Sequence, residues 1–401
     1  MERKGDLFMY IGLFLIVLLA FLLIFRDKIT GIAGMEQDNL FAVIEPKIPD
    51  IGSQQNTSSI CPFQSQIEYF YYSKPPDSEK RNNKFGIYIY AEVGEYFELA
   101  QNLVNSNGGD WGYVLIPFNI KDKSYDKWLN VFSKLSEKHL IPIIQLHTVN
   151  TDDYKENTYE AAEFLNKFVW PIKQRYISVY NEPNDAAFWF GKVDPKEYSE
   201  VLNYTIKAFK KENSDFFMLN GAFNISAGNT STTMDAVDFM LKMEDKVDGI
   251  FNKLDGWASH SYPQPNFSGN PDAEGRFSIR AYKYELDTLK RIFGINKDMP
   301  VFITETGWAH SEGDVYNPSY LSSGKVAENI KIAYEKYWLK DDRVVAVTPF
   351  TIWYRAPYDH FSWVREDFVP YASFNAIKSL KKKAGNPEKL ETARITSVGC
   401  E

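Results

Sequence analysis

The stretch YISVYNEPND, Tyr176 to Asp185, is where the fold of this chain can be read. Ile177, Val179 and Tyr180 form an apolar run of buried-strand character, and Pro183 bars that run from continuing as a central ladder. Glu182 therefore stands at the carboxyl end of a strand, where the backbone turns out of the core. A charge is costly there unless it is used. A little further on, KEYSEVLNYTIKAFKKE has the apolar spacing of an amphipathic helix.

The same order, strand then helix, extends in both directions. Upstream, KFGIYIY (Lys84 to Tyr90), WGYVLIPF (Trp111 to Phe118) and IPIIQLHT (Ile141 to Thr148) each precede an amphipathic segment. Downstream, FFMLNGAF (Phe216 to Phe223), GWASHSYP (Gly256 to Pro263), PVFITETGW (Pro300 to Trp308) and VVAVTPFTIWY (Val344 to Tyr354) do so again. Strand alternating with helix implies parallel strands buried on both faces. Eight such units point to an α/β fold of the (β/α)₈ barrel type over residues 84–385. An open doubly wound sheet is the alternative, but no glycine-rich dinucleotide loop follows the first strand.

Outside the barrel the sequence changes character. Leu7 to Phe25 is an apolar run without a charge, long enough to cross a bilayer core. We read residues 1–28 as an amino-terminal transmembrane anchor through residues 7–25. A cleaved signal peptide is the competing reading, because small residues occur at Gly31 to Gly34. Residues 29–83, rich in turn formers, read as an extracytoplasmic linker, and 386–401 as a carboxyl-terminal tail. The only cysteines, Cys61 and Cys400, have neither zinc-site nor redox-pair spacing. In an oxidising compartment they are a candidate disulfide, since the termini of a closed barrel lie near each other; otherwise they are two unrelated thiols.

A net charge of −8 argues against a nucleic-acid partner, which would need a basic face. Aromatic residues make up 16% of the chain, enough to fill a bulky core and also to line a cleft for sugar rings. In a barrel, the carboxyl ends of the strands gather around one mouth. Those ends carry Glu92, Asn119, His147, Asn181, Glu182, Asn224, His260, Tyr262, Glu305, Trp308 and Trp353. Glu182 and Glu305 stand out because they close the fourth and seventh strands. A pair of carboxylates across a barrel mouth suits glycosidic bond cleavage, in which one must be protonated and the other ionised. Asn119, His147 and Trp308 are further candidates for binding substrate. Glu92 reads better as a solvated loop residue.

With these residues in that order, the chain resembles the retaining (β/α)₈ glycoside hydrolases of clan A. The resemblance implies that Glu182, in Asn181-Glu182-Pro183, is the general acid/base and that Asn181 binds the 2-hydroxyl of the sugar. It implies that Glu305, in ITETGW, is the nucleophile, that His260 and Tyr262 close the sixth strand with the tyrosine hydroxyl holding the nucleophile, and that Trp353 is a sugar platform. The implied activity is double-displacement hydrolysis of a β-linked polysaccharide or oligosaccharide by a monomer, on the extracytoplasmic side of a membrane. No metal or organic cofactor is called for. A His-x-His pair, a Gly-x-Ser-x-Gly elbow and a complete phosphate loop are all missing. The rival is a membrane-tethered, non-catalytic carbohydrate-binding barrel, which would keep the aromatics but has no reason to keep both glutamates.

Overall fold

The computed structural model describes residues 67–73, 83–148 and 152–395. The proposed anchor over 7–25, Cys61 and Cys400 lie outside the described residues. Among those described, no helix is long and apolar enough to cross a membrane.

Eight parallel strands form the centre: β2 (Gly86–Tyr88), β3 (Gly112–Asn119), β4 (Leu140–His147), β5 (Arg175–Val179), β6 (Phe216–Asn220), β7 (Trp257–His260), β8 (Val301–Glu305) and β9 (Val344–Val347). Each leads into a helix: α1 (Glu95–Val104), α2 (Tyr125–Glu137), α3 (Tyr154–Asn166), α4 (Pro195–Glu212), α5 (Ala236–Lys246), α6 (Ala281–Phe293), α7 (Ser323–Ile332) and α8 (Ala372–Ser379). The alternation of side chains along the strands builds two cores. Tyr113, Leu115, Ile143, Leu219, Ala258 and Phe302 point inward and fill the barrel. Ile87, Val114, Ile144, Ile177, Met218, Val301 and Ile303 point outward and pack under the helices.

Helix α4 shows how the sequence sets an element. Asp194 accepts a hydrogen bond from the Glu197 N–H, and Pro195 opens the first turn, where a missing N–H costs nothing. Lys210 and Lys211 lie in the last turn, near the negative end of the helix dipole. Tyr198, Val201, Leu202, Thr205, Ile206 and Phe209 form its buried stripe.

The barrel is hydrogen-bonded as two sheets, β2 to β6 and β7 to β9. Two seams close it, each marked by a single parallel bridge: Phe85 with Val347, and Leu219 with Gly256. At the second seam the Asn220 side chain replaces missing backbone ladder. Its Oδ1 accepts from the Ala258 N–H at 2.9 Å, and its Nδ2 donates to the Ala258 carbonyl at 3.1 Å.

The linker and tail boundaries drawn from sequence are too generous. Ile67–Tyr72 forms a strand, β1, and Leu390–Ile395 another, β10; they pair antiparallel. The pair is fastened to the loop before β5, on the side opposite the mouth. The Tyr72 hydroxyl donates to the Trp170 carbonyl, and the Leu390 N–H to the Pro171 carbonyl. LETARI has no strand signal by itself. It becomes a strand because the barrel brings the start of the chain alongside its end.

Candidate active site

After Val179 the backbone leaves β5 through two residues in the left-handed region, Tyr180 (φ 72°) and Glu182 (φ 35°). Such conformations in non-glycine residues cost on the order of 1–3 kcal/mol and persist only when the surroundings enforce them. Here they are enforced. The Glu182 N–H donates to the Ala222 carbonyl at 3.0 Å. The buried Asn184 side chain bonds Asn224 through both its amide N–H and its carbonyl oxygen, and also donates to the Met234 carbonyl. Trp189 packs below the loop against Tyr180, with its Nε1 donating to Glu197. The turn that aims Glu182 is thus braced from beneath.

Glu305 is the last residue of β8. Gly307 follows at φ 144°, a conformation that only glycine adopts freely, and this lets the chain turn away at once. The Thr306 hydroxyl ties the turn to the Ser261 carbonyl at 2.6 Å. Only 12% of each glutamate side chain is exposed.

Between the two acids stands His260, wholly buried. Its Nδ1 lies 2.8 Å from Glu182 Oε1 and 3.7 Å from Glu305 Oε2. The two oxygens can therefore be no farther apart than the sum of those distances, about 6.5 Å. Tyr262 donates its hydroxyl to Glu305 Oε2 at 3.1 Å. Burial, reinforced by the Glu182 charge, pushes the Glu305 carboxyl up to about 7, against the opposing pull of His260 and the tyrosine. Burial by itself would lower the His260 pKa, but the Glu305 charge and the Glu182 hydrogen bond outweigh it and leave the imidazole raised. The site thus sets a histidine whose charged form is favoured beside two acids, one of them pushed up by burial to about 7.

The other residues singled out from sequence fall in different places. Asn181 Oδ1 accepts from Gln145 Nε2 at 3.1 Å, so the amide is held beside Glu182 by a residue inside β4 that no strand-end pattern singles out. His147 is half-buried, its Nδ1 paired with Thr148 Oγ1, and burial lowers its pKa. Asn119 faces His147 across the β3–β4 ladder, but its Oδ1 closes the following turn on the Lys121 N–H. Glu92 is an exposed loop acid bonded to Lys127.

Two tryptophans are not where the strand-end reading put them. Trp308 is 2% exposed, sits in the core under the helices and donates its Nε1 to the Gly269 carbonyl. Trp353 is half-buried and packs against that same outer core. The aromatic ring that reaches the barrel interior at the end of the eighth barrel strand is Phe350. Its ring centroid lies 5.1 Å from Tyr88, 5.4 Å from Tyr354 and 6.0 Å from Phe361, which in turn packs on Tyr262. Tyr88 is close enough to Glu305 for that charge to add to burial in raising its hydroxyl pKa. These rings make a continuous wall from Tyr262 to the exposed Tyr358. Among the described residues, no lysine or arginine forms an ion pair with Glu182 or Glu305.

No family model and no curated protein sequence matches this chain. Solved structures do resemble it in fold. A GH39 β-xylosidase from Caulobacter crescentus superposes with a TM-score of 0.50 at 14% identity, covering 77% of this chain and 72% of that one. A monomeric β-xylosidase from Caulobacter crescentus CB15 gives 0.50 at 15% identity, over 80% and 71%. A fungal β-1,4-galactanase gives 0.50 at 12% identity, over 75% and 100%. The fold this chain shares with them is the (β/α)₈ barrel.

Proposed function

We propose that this chain is a retaining glycoside hydrolase acting on a β-linked polysaccharide or oligosaccharide. One observation carries the reading: two glutamates, from the ends of the fourth and seventh barrel strands, converge on a single buried histidine nitrogen. Carboxyls about 5–5.5 Å apart serve double displacement, whereas inverting enzymes need roughly 6.5–9.5 Å to admit a water. The limit of about 6.5 Å between the nearest oxygens favours the former.

In this mechanism Glu305 attacks the anomeric carbon, and Glu182 protonates the departing oxygen. Glu182 then takes a proton from the water that releases the sugar. Before attack, the proton must sit on Glu182 and not on Glu305. His260 Nδ1 is hydrogen-bonded to Glu182 and lies 3.7 Å from Glu305, so its charge acts on both acids. Tyr262 holds Glu305 in line. We assign the sugar platform to Phe350 and its neighbouring rings, and the 2-hydroxyl contact to Asn181, oriented by Gln145. A wall of rings and amides suits the apolar faces and hydroxyls of a β-linked sugar. The β-xylosidase and β-galactanase neighbours are in keeping with this class. Residues 7–25 would tether the domain to a membrane, with its mouth on the extracytoplasmic side.

The alternative, a binding barrel without activity, does not account for a carboxyl buried at the cost that Glu305 bears. The test is a pair of variants assayed on aryl β-glycosides. Glu305→Ala should abolish turnover. Glu182→Ala should keep the first step for activated leaving groups, with azide restoring turnover as a β-glycosyl azide. NMR of the first product should show retained configuration. Inverted product, or full activity in either variant, would refute the assignment.

A further inference from the structure

Behind the strand that carries His260, helix α6 presents a third acid that the mechanism above does not use. Glu285 is wholly buried against the outer face of β7. Ser259 donates to its Oε2, and Ser261 Oγ lies 2.9 Å from Ser259 Oγ. The Tyr282 N–H, one turn earlier on α6, donates to Ser261 Oγ at 3.2 Å. With Ser259 donating to the carboxylate, each hydroxyl of this chain donates in turn toward Glu285. The strand is irregular at the same point. Ser259 pairs with Ile303, but the next residue, His260, pairs with Glu305 and passes over Thr304. A slip of this kind beside an active site re-aims a side chain. Here it sets His260 opposite Glu305, next to the serine that Glu285 holds.

Resting on the hydrolase reading, we propose that Glu285 is a positioning residue for the acid pair: it fixes the offset in β7 through Ser259, and its charge acts on His260 across the strand. It does so without touching substrate, because it lies outside the barrel wall and His260 faces the mouth. The Nε2 atom of His260 is buried and has no hydrogen-bond partner among the described residues. A proton on that nitrogen is therefore favoured by nearby negative charge and not by a bond of its own.

The charges around the strand agree with this role. Burial pushes the Glu285 carboxyl up to about 7, while Ser259, His260 and Arg276 draw it down. Arg276, from the loop between β7 and α6, is already paired with Asp235. Against the downward push of burial, His260 is raised by Glu305, by Glu182 and, from behind, by Glu285. Groups coupled in this way titrate as a set. Below about pH 7 Glu285 is neutral and adds little to the set; above it, its charge makes the next proton harder to remove. The acid limb of a pH profile is left in place, and the basic limb is carried to higher pH.

Glu285→Gln keeps the volume and still accepts from Ser259, but never ionises. In the full chain with labelled histidines, NMR without substrate should show the His260 titration, assigned by its loss in His260→Asn. The variant should move it down by at least about 0.5 pH unit, a roughly threefold change in proton affinity. On an aryl β-glycoside, the basic limb of kcat/KM should fall by a similar step while the acid limb stays. Ser259→Ala removes a bond that favours the charged carboxylate, so it should move both in the same direction by less. It also gives the answer if the glutamine variant does not fold. A His260 titration unmoved in the folded variants, or a loss of kcat equal at every pH, would overturn the proposal. No turnover in the wild-type protein, with the His260 shift present, would instead refute the hydrolase reading and leave the link between Glu285 and His260 standing.

Discussion

Glu305→Gln is expected to make the protein inactive and, at pH 8, more stable. In the folded state burial first, and then the Glu182 charge, lift the Glu305 pKa from its ordinary 4.5 to about 7. The unfolded chain gives up this proton near 4.5, so between there and 7 the unfolded state binds fewer protons than the folded one. Stability is then lost as pH rises. At about 1.36 kcal/mol per pKa unit, the loss is complete above pH 7 and amounts to about 3 kcal/mol. At pH 4 both states hold the proton, and the group contributes nothing. Glutamine never ionises and can still accept the Tyr262 hydrogen bond. The attraction to His260 that glutamine gives up is already netted into that shift. Urea unfolding of both proteins at pH 4 and pH 8 should therefore show equal stability at the lower pH and a gain of about 1–3 kcal/mol for the variant at the higher. A difference independent of pH would refute the account of Glu305 as an acid held in place against its own desolvation.

Two further outcomes follow from where the aromatic side chains lie. Trp308→Ala should cost about 3–5 kcal/mol in thermal or chemical unfolding, as expected for a large buried side chain with a bonded N–H; loss of activity without loss of stability would put Trp308 in the cleft instead. Phe350→Ala should lower kcat/KM on an aryl β-glycoside at least tenfold while Trp353→Ala stays within about threefold, and the reverse order would restore Trp353 as the platform.

The barrel was legible because its evidence is local and repeated: each strand is a short apolar run ending in turn formers, and each helix carries its own stripe and cap. Glu182 and Glu305 were legible because a carboxylate ending a buried strand has few reasons to be there. The tryptophans were not. Strand β9 ends at Val347, and the non-strand residues between it and Trp353 break the two-residue alternation that would tell which way a side chain points. Trp308 follows a glycine at φ 144°, so its closeness to Glu305 in sequence says nothing of its direction. Gln145 was hidden for the opposite reason. It sits inside a continuous buried strand, where a polar residue is noticed only once its partner, Asn181, is known. The strand β10 needed a partner from the far end of the chain.

The closure of the barrel bears on the acids in one more respect. Glu182 follows a strand of the five-stranded sheet, whereas Glu305, His260 and Tyr262 belong to the three-stranded one. The working distance of the pair is thus a gauge set between two bodies, not within one. On the nearer side those bodies are clasped by a single bridge, by the amide of Asn220, and by Asp255, whose N–H donates to the Met218 carbonyl and whose carboxylate accepts from the Met218 N–H. The His260–Glu182 hydrogen bond, at 2.8 Å, spans the same divide and adds a tie at the mouth to those within the wall.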